Sequence, residues 1–210
     1  MARLDRLNER YRLHHRAEKQ EFVFGGDDRG GLFASLVGGP GKRVLDVGCR
    51  TGALTQYYAG GNDVVGVDVD SDALARARER LGIETVWADA EEGFPFEDVS
   101  FDVVVMGEIL EHLADPAAAV ANVHRVLRPG GRFVGSVPNA FRLKSRLAYA
   151  RGRYPGDWDP THLQLFTPEA LRRLLTVFAE VEIRFAIGRF TPLYPRLFAN
   201  VQVFSARRAG

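Results

Sequence analysis

The chain has 210 residues, 46% of them apolar and 26% charged, with a net charge of +1; that length buries one sizeable core and predicts one domain with a small appended element. So even a balance excludes the strong positive field that duplex DNA or an anionic membrane surface would attract, and nothing in it points to nucleic acid as a partner. No apolar run reaches the roughly 18 residues that span a bilayer, the charged N-terminus has no apolar signal stretch, and the single cysteine, Cys49, excludes a disulfide framework, so the chain reads as cytoplasmic.

In chain order, residues 2–20 predict a basic amphipathic helix, with Leu4, Leu7, Tyr11 and Leu13 to one side and Arg3, Arg6, Arg10 and Arg16 around them. A second helix is expected around residues 30–37, ended by the Gly-Gly-Pro-Gly run at 38–41. Strands and helices then alternate: strand 42–48, helix 52–59, strand 63–68, helix 71–81, strands 84–88 and 101–106, helix 116–127, strand 131–137. Alternation of this kind predicts an α/β fold with a doubly wound, mostly parallel sheet. Asp115 followed by Pro116 opens the helix at 116, and Pro129-Gly130-Gly131 stops it. The alternation breaks at 139–162, an arginine-rich insertion containing Tyr154 and Trp158. Thr167, with Pro168 and Glu169 behind it, caps a helix over 167–178, and strands at 179–187 and 199–207 suit an antiparallel edge pair. Charge is uneven along this order: residues 61–111 hold 14 acids and 3 bases, residues 132–210 hold 13 bases and 5 acids. The second half is therefore the one suited to an anionic or polar substrate.

The most informative segment is Arg43-Val44-Leu45-Asp46-Val47-Gly48-Cys49-Arg50-Thr51-Gly52-Ala53-Leu54. Its apolar run suits a buried parallel strand, and Gly48 and Gly52 let the backbone turn sharply and approach a ligand closely. A helix starting directly behind the loop would offer open backbone N–H groups to a carboxylate and a sugar. A dinucleotide loop needs Gly-x-Gly-x-x-Gly, and here the second and third glycines are Arg50 and Ala53, which argues against a nicotinamide enzyme. The segment resembles the cofactor loop of class I S-adenosylmethionine-dependent methyltransferases, and the resemblance extends over about residues 30–180. It implies a seven-stranded Rossmann-like sheet with a helical lid, S-adenosylmethionine as cofactor, N-terminal helices (residues 1–40) covering the cofactor, and a main domain at 41–210 with a lid insertion at about 139–166. By the same resemblance, Asp46, Gly48, Cys49 and Gly52 lie at the cofactor, Asp68 receives the ribose hydroxyls, and Val69 lies on the adenine. Asp89 and the Ala90 backbone meet the adenine amino group, while Met106, Gly107 and Glu108 sit at the methyl end. Arg50 stands where the family pattern usually keeps glycine, so its side chain must point away from the cofactor or cover it.

Glu108, Glu111 and His112 form Glu-x-x-Glu-His, which in a helix shares one face; His162 follows in Asp159-Pro160-Thr161-His162. This set resembles quinone O-methyltransferases and small-RNA terminal 2′-O-methyltransferases, whose two glutamates and two histidines can bind Mg²⁺, Mn²⁺ or Zn²⁺. The RNA enzymes carry a further histidine where Leu113-Ala114-Asp115 stands here. Without a metal, His112 or His162 is the expected general base, with Glu108 and Glu111 beside it. Residues 136–166 resemble a narrower group that tailors sugars, polysaccharide precursors and natural products, which makes Asn139, Arg142, Tyr154 and Trp158 acceptor-binding candidates. The expected function is methylation of an oxygen on such a small polar acceptor, with a quinone-like phenol as second choice and a non-catalytic, cofactor-binding partner protein as the different-class alternative.

Overall fold

The computed structural model describes residues 3–17, 25–155 and 159–210, the side chains of 14–17 apart. Seven strands form one sheet: β1 (Arg43–Val47), β2 (Asp63–Asp68), β3 (Glu84–Trp87), β4 (Phe101–Gly107), β5 (Leu127–Pro138), β6 (Ala179–Ala186) and β7 (Val201–Arg207). Their order is β3-β2-β1-β4-β5-β7-β6, with parallel pairing from β3 to β5 and β7 antiparallel to both β5 and β6. The doubly wound fold with an antiparallel edge pair is thus the one expected.

The central strands are mostly apolar because both faces are covered, with Asp46 in β1 and Asp102 in β4 as exceptions. Alternation along β1 and β4 sends Leu45, Val47, Val104 and Met106 to one face and Val44, Val103 and Val105 to the other. The first face packs under α5 (Pro116–Val126) and α7 (Pro168–Leu174) through Ala119, Val123 and Leu171. The second packs under α2 (Gly26–Val37), α3 (Gln56–Ala59) and α4 (Ser71–Leu81) through Phe33, Tyr58 and Ala77. Asp70 and Asp115 each accept two backbone N–H bonds at 3.0 Å as caps of α4 and α5, worth about 1 kcal/mol per cap.

Several boundaries differ from expectation. The helix expected at 52–59 begins only at Gln56, because residues 48–52 are consumed by a loop with left-handed Gly48, Arg50 and Gly52. Strand β5 starts at Leu127 rather than 131, and its register against β4 shifts between Phe101↔Leu127 and Val103↔Arg132, so Arg128–Gly131 bulges out. Helix α7 ends at Leu174, since Leu175 and Phe178 turn down into the core. The insertion carries α6 (Leu143–Ala150), and the β6–β7 connection carries α8 (Pro195–Phe198). In α1 (Arg3–Ala17), Leu13 is 62% exposed, because six residues past Leu7 the helix has rotated off the face that Leu7 and Tyr11 share. Helix α1 is held by polar contacts, Arg12 to Asp72 at 2.7 Å and Asn8 to Ser71 at 3.2 Å. Among the described residues, no helix is long and apolar enough to cross a membrane.

Strand order reverses between β1 and β4, and in such sheets the crevice beyond the strand ends opens at that switch point.

Candidate functional site

A cavity of about 530 Å³ lies there. Gly48, at φ 77, forms its floor; a Cβ at that position would lie 1.9 Å from Ile109 Cδ1, so no larger residue keeps this loop path. The N–H groups of Gly48 and Cys49 both donate to the Val67 carbonyl, at 2.7 and 3.2 Å, and that of Arg50 donates to Asp68 Oδ2 at 2.9 Å. This corrects the expected row of open N–H groups: with α3 starting late, the loop ties itself to β2 and presents glycine surface and carboxylates instead. Gly52 is a second difference, since it does not line the cavity; its Cα faces Leu81 of α4, 2.5 Å from where a Cβ would sit. Met106 likewise has its side chain wholly in the core, and only the neighbouring Gly107 and Glu108 reach the cavity wall.

Asp68 is buried at the end of β2, its other oxygen accepting from Asp70 N at 2.8 Å. Val69 and Ala90 lie beside it on the cavity wall. Asp89 is buried too and pairs with Arg3 of α1 at 2.8 Å, while Leu7 and Tyr11 of the same helix line the cavity, the Tyr11 ring 6.3 Å from that of His112. Asp46 accepts from Thr55 Oγ1 at 2.6 Å and Tyr58 OH at 2.8 Å, yet burial outweighs both hydroxyls and pushes its carboxyl up to about 6.

Arg29 is a cavity residue that sequence reasoning missed. Its guanidinium is buried, donating to Ser136 Oγ at 2.9 Å, 3.7 Å from Glu108 Oε1 and 5.4 Å from the Phe33 ring. The signal was present: Arg29, Phe33 and Val37 fall at i, i+4 and i+8, so a cation sits on the buried stripe of α2. Charges are rarely buried without a task or a partner.

Glu-x-x-Glu-His does not form the expected helical face. Glu108 is left-handed at φ 62 and turns to Arg29, while residues 110–112 make a 3-10 turn. Glu111 and His112 turn to the other side and meet His162, one ligand atom from each lying within 4.8 Å of the others. The Glu111 carbonyl brings them together by accepting from Leu163 N at 2.8 Å and Gln164 N at 3.1 Å, which fastens the end of the insertion to this turn. Glu111 is 1% exposed, neither carboxyl oxygen has a hydrogen-bond partner among the described residues, and His162 Nε2 is 4.0 Å away. Burial, and then the nearby Glu108 charge, hold its carboxyl well above the usual carboxylate range. The two imidazoles meet edge to face at 4.7 Å.

The expected acceptor residues scatter. Asn139 lines the cavity but donates its amide protons to the carbonyls of Arg196 and Ala199, at 3.0 and 2.9 Å. Arg142 lines it and bonds Asn200 Oδ1. Tyr154 is 70% exposed and does not line it, which corrects its placement: residues 151–154 run exposed beyond α6, and it is Pro155 that is buried and reaches the cavity. Trp158 lies outside the described residues. Pro138, Ala140, Leu165 and Val201 add apolar surface to the same cavity.

Arg50 lines the cavity with φ 49, a conformation costing an L side chain about 1–2 kcal/mol. Arg50→Gly removes that strain and adds about 0.5–1 kcal/mol of unfolded-chain freedom. The expected result is an unfolding free energy in urea unchanged or raised by up to about 1 kcal/mol, at constant slope. A clear loss would show that the arginine side chain stabilises the loop by more than the strain.

Comparison with known proteins places residues 45–135 in a family model described as a methyltransferase domain. A ubiquinone biosynthesis O-methyltransferase from Aromatoleum aromaticum is 40% identical over 105 residues, 47% of this chain and 45% of that one. A second protein of that name, from Aeromonas salmonicida, is 36% identical over 158 residues, 70% of this chain and 63% of that one. The chain thus spans less than two thirds of these relatives' length. Among solved structures, the N-methyltransferase NodS from Bradyrhizobium japonicum, in complex with S-adenosyl-L-homocysteine, superposes with a TM-score of 0.66 at 21% identity, covering 99% of this chain and 97% of that one. At that identity the likeness is one of fold.

Proposed function

We propose that the chain is a class I S-adenosylmethionine-dependent methyltransferase that methylates a hydroxyl oxygen of a small acceptor, a quinone-like phenol ahead of a sugar or glycan precursor. The observation that carries this reading is the pair of histidines beside buried Glu111 at the crevice where the strand order reverses.

The cavity's charges fit the cofactor's amino-acid end. Arg29 Nε and Glu108 Oε1 are buried without hydrogen-bond partners among the described residues, a cation and an anion suited to a carboxylate and an ammonium group. In this reading Arg29 holds the carboxylate, and Glu108 and Asp46 receive the ammonium. Gly48, Cys49 and Gly107 form the close-fitting floor. Asp68 takes the ribose hydroxyls, and Val69, Asp89 and Ala90 take the adenine. Helices α1 and α2 cover the cofactor, and the described residues of 139–166 form the acceptor lid. S-adenosylmethionine supplies an electrophilic methyl group on positively charged sulfur.

His112 removes the acceptor's proton, and His162 lies against it as the alternative base. A phenol, with a pKa near 10, needs less help from a neutral imidazole than an alcohol does. The apolar surface of Pro138, Ala140, Leu165 and Val201 in the cavity suits a ring better than a sugar, and the relatives' names point the same way. Arg142 is what favours an anionic sugar or glycan precursor. Labelled cofactor offered with polyhydroxylated aromatics and with sugars tests the order: label in the aromatics supports it, and label only in the sugars reverses it. Calorimetry with S-adenosylmethionine accompanies the screen; tight binding with no transfer to any acceptor favours the non-catalytic partner.

The divalent cation is a second reading, supported by the buried, unbonded Glu111 carboxyl beside two imidazoles. Glu111, His112 and His162 would hold it, Glu108 being turned to Arg29, and a bound cation would acidify the acceptor hydroxyl. Under that reading, chelator abolishes transfer and Mg²⁺, Mn²⁺ or Zn²⁺ restores it; transfer that survives chelator sinks it.

A further inference from the structure

Thr161 stands with its hydroxyl 2.9 Å and its carbonyl 3.3 Å from His112 Nδ1. A carbonyl oxygen only accepts. The hydroxyl has one proton, and it lies 2.6 Å from Asp159 Oδ1, which also accepts the Thr161 backbone N–H at 2.8 Å. A carboxylate oxygen already accepting an N–H is an acceptor for the hydroxyl as well, so the threonine proton points to Asp159. Toward His112 the threonine therefore shows only lone pairs, from two oxygens at once. An imidazole with its own lone pair on Nδ1 would face both of them without a proton in between. The proton belongs on Nδ1, and the basic lone pair belongs on Nε2.

We propose that Asp159 and Thr161 are positioning residues for His112: through one short chain of hydrogen bonds they hold it in the Nδ1–H tautomer and keep Nε2 as the nitrogen that takes the acceptor's proton. This rests on the methyl-transfer reading of the same cavity, which His112, Asp159 and His162 all line. As the acceptor oxygen bonds the methyl carbon, the carbon–sulfur electron pair leaves with sulfur and the hydroxyl proton passes to His112 Nε2. The imidazolium so formed carries two N–H groups. The one on Nδ1 is already directed at Thr161, whose own proton is directed at the Asp159 carboxylate, so the new positive charge forms where an anion is waiting. The arrangement is also local. His162 N donates to the Asp159 carbonyl at 3.1 Å, so the single turn Asp159–His162 delivers both the orienting group and the second histidine.

The test is a long-range ¹H–¹⁵N spectrum of histidine-labelled protein, with the His112 signals identified by their loss in His112→Gln. A protonated Nδ1 and an unprotonated Nε2 are expected at neutral pH. Thr161→Ser is expected to keep that pattern and the turnover. Thr161→Val, which keeps the shape and the 3.3 Å carbonyl but loses the hydroxyl that links Nδ1 to Asp159, should mix the tautomers and lower kcat by about 10- to 100-fold, with acceptor KM and calorimetric cofactor affinity within about twofold. Asp159→Ala gives a second, more exposed way of cutting the same chain and should act in the same direction. An Nε2–H tautomer in the unaltered protein overturns the proposal, as does Thr161→Val with full kcat. The spectrum needs no turnover: the Nδ1–H pattern in a protein that binds cofactor yet methylates nothing would sink the methyl-transfer reading and leave the orientation of His112 standing.

Discussion

Asp46→Asn is expected to weaken S-adenosylmethionine binding by about 100-fold, near 2.7 kcal/mol, and still leave a protein as stable as the original, or more so, at pH 8. Burial raises the Asp46 carboxyl from its ordinary 3.8 to about 6. A raised acid pKa means the folded state holds the proton more tightly than the unfolded chain does. Below pH 3.8 the group is protonated in both states and costs nothing; as pH climbs to 6 the folded state must ionise it, and above 6 the full cost, roughly 3 kcal/mol, is present. Asparagine cannot ionise and escapes that cost, while its carbonyl oxygen still accepts from Thr55 and Tyr58. Urea unfolding at pH 5 and pH 8 checks this: the stability of the variant relative to the original should rise by about 1–2 kcal/mol between the two. A difference that does not move with pH would show that no buried charge is held there. The binding loss has the opposite origin. A neutral amide cannot pair with an ammonium group, so affinity falls where stability is gained. In the unaltered protein, cofactor affinity should drop by up to about tenfold per pH unit below 6 as Asp46 takes up a proton.

His112→Gln is expected to lower kcat by about 10²- to 10⁴-fold, the range of a lost general base, with cofactor affinity from calorimetry unchanged. Glutamine occupies similar space and can still bond Thr161, so a kinetic loss reports on proton transfer rather than on a cavity. His162→Gln separates the two accounts of the site. With His112 as base it should cost clearly less than His112→Gln; with a cation held by both histidines and Glu111, the two variants should fail alike and lose their response to added metal. Equal cofactor loss in both variants would instead mark the histidines as supports of the crevice.

The strands and their order of alternation were legible because a parallel strand covered on both faces has nothing polar to place, and reads as Val44-Leu45 or Val103-Val104-Val105. Asp46, Asp68 and Asp89 were legible as strand-end acids, and the fold gathers all three on one cavity. The loop between them was less so. A glycine spacing shows where the chain turns and not where its N–H groups go; here they are spent on Val67 and Asp68. Glu-x-x-Glu-His was read with helical spacing, and one left-handed residue, Glu108, was enough to send its first carboxylate to a different partner.

What this chain determines by itself is therefore the sheet, its caps and the identity of the groups near its switch point, since these follow from periodicity and local hydrogen bonding. The meeting of Arg29 with Glu108 and Ser136, and of His112 with Thr161, was decided only in three dimensions. Each joins segments far apart in sequence, and those contacts exist because the two faces of the sheet and the fastening of the insertion at Glu111 leave the side chains no other place to go.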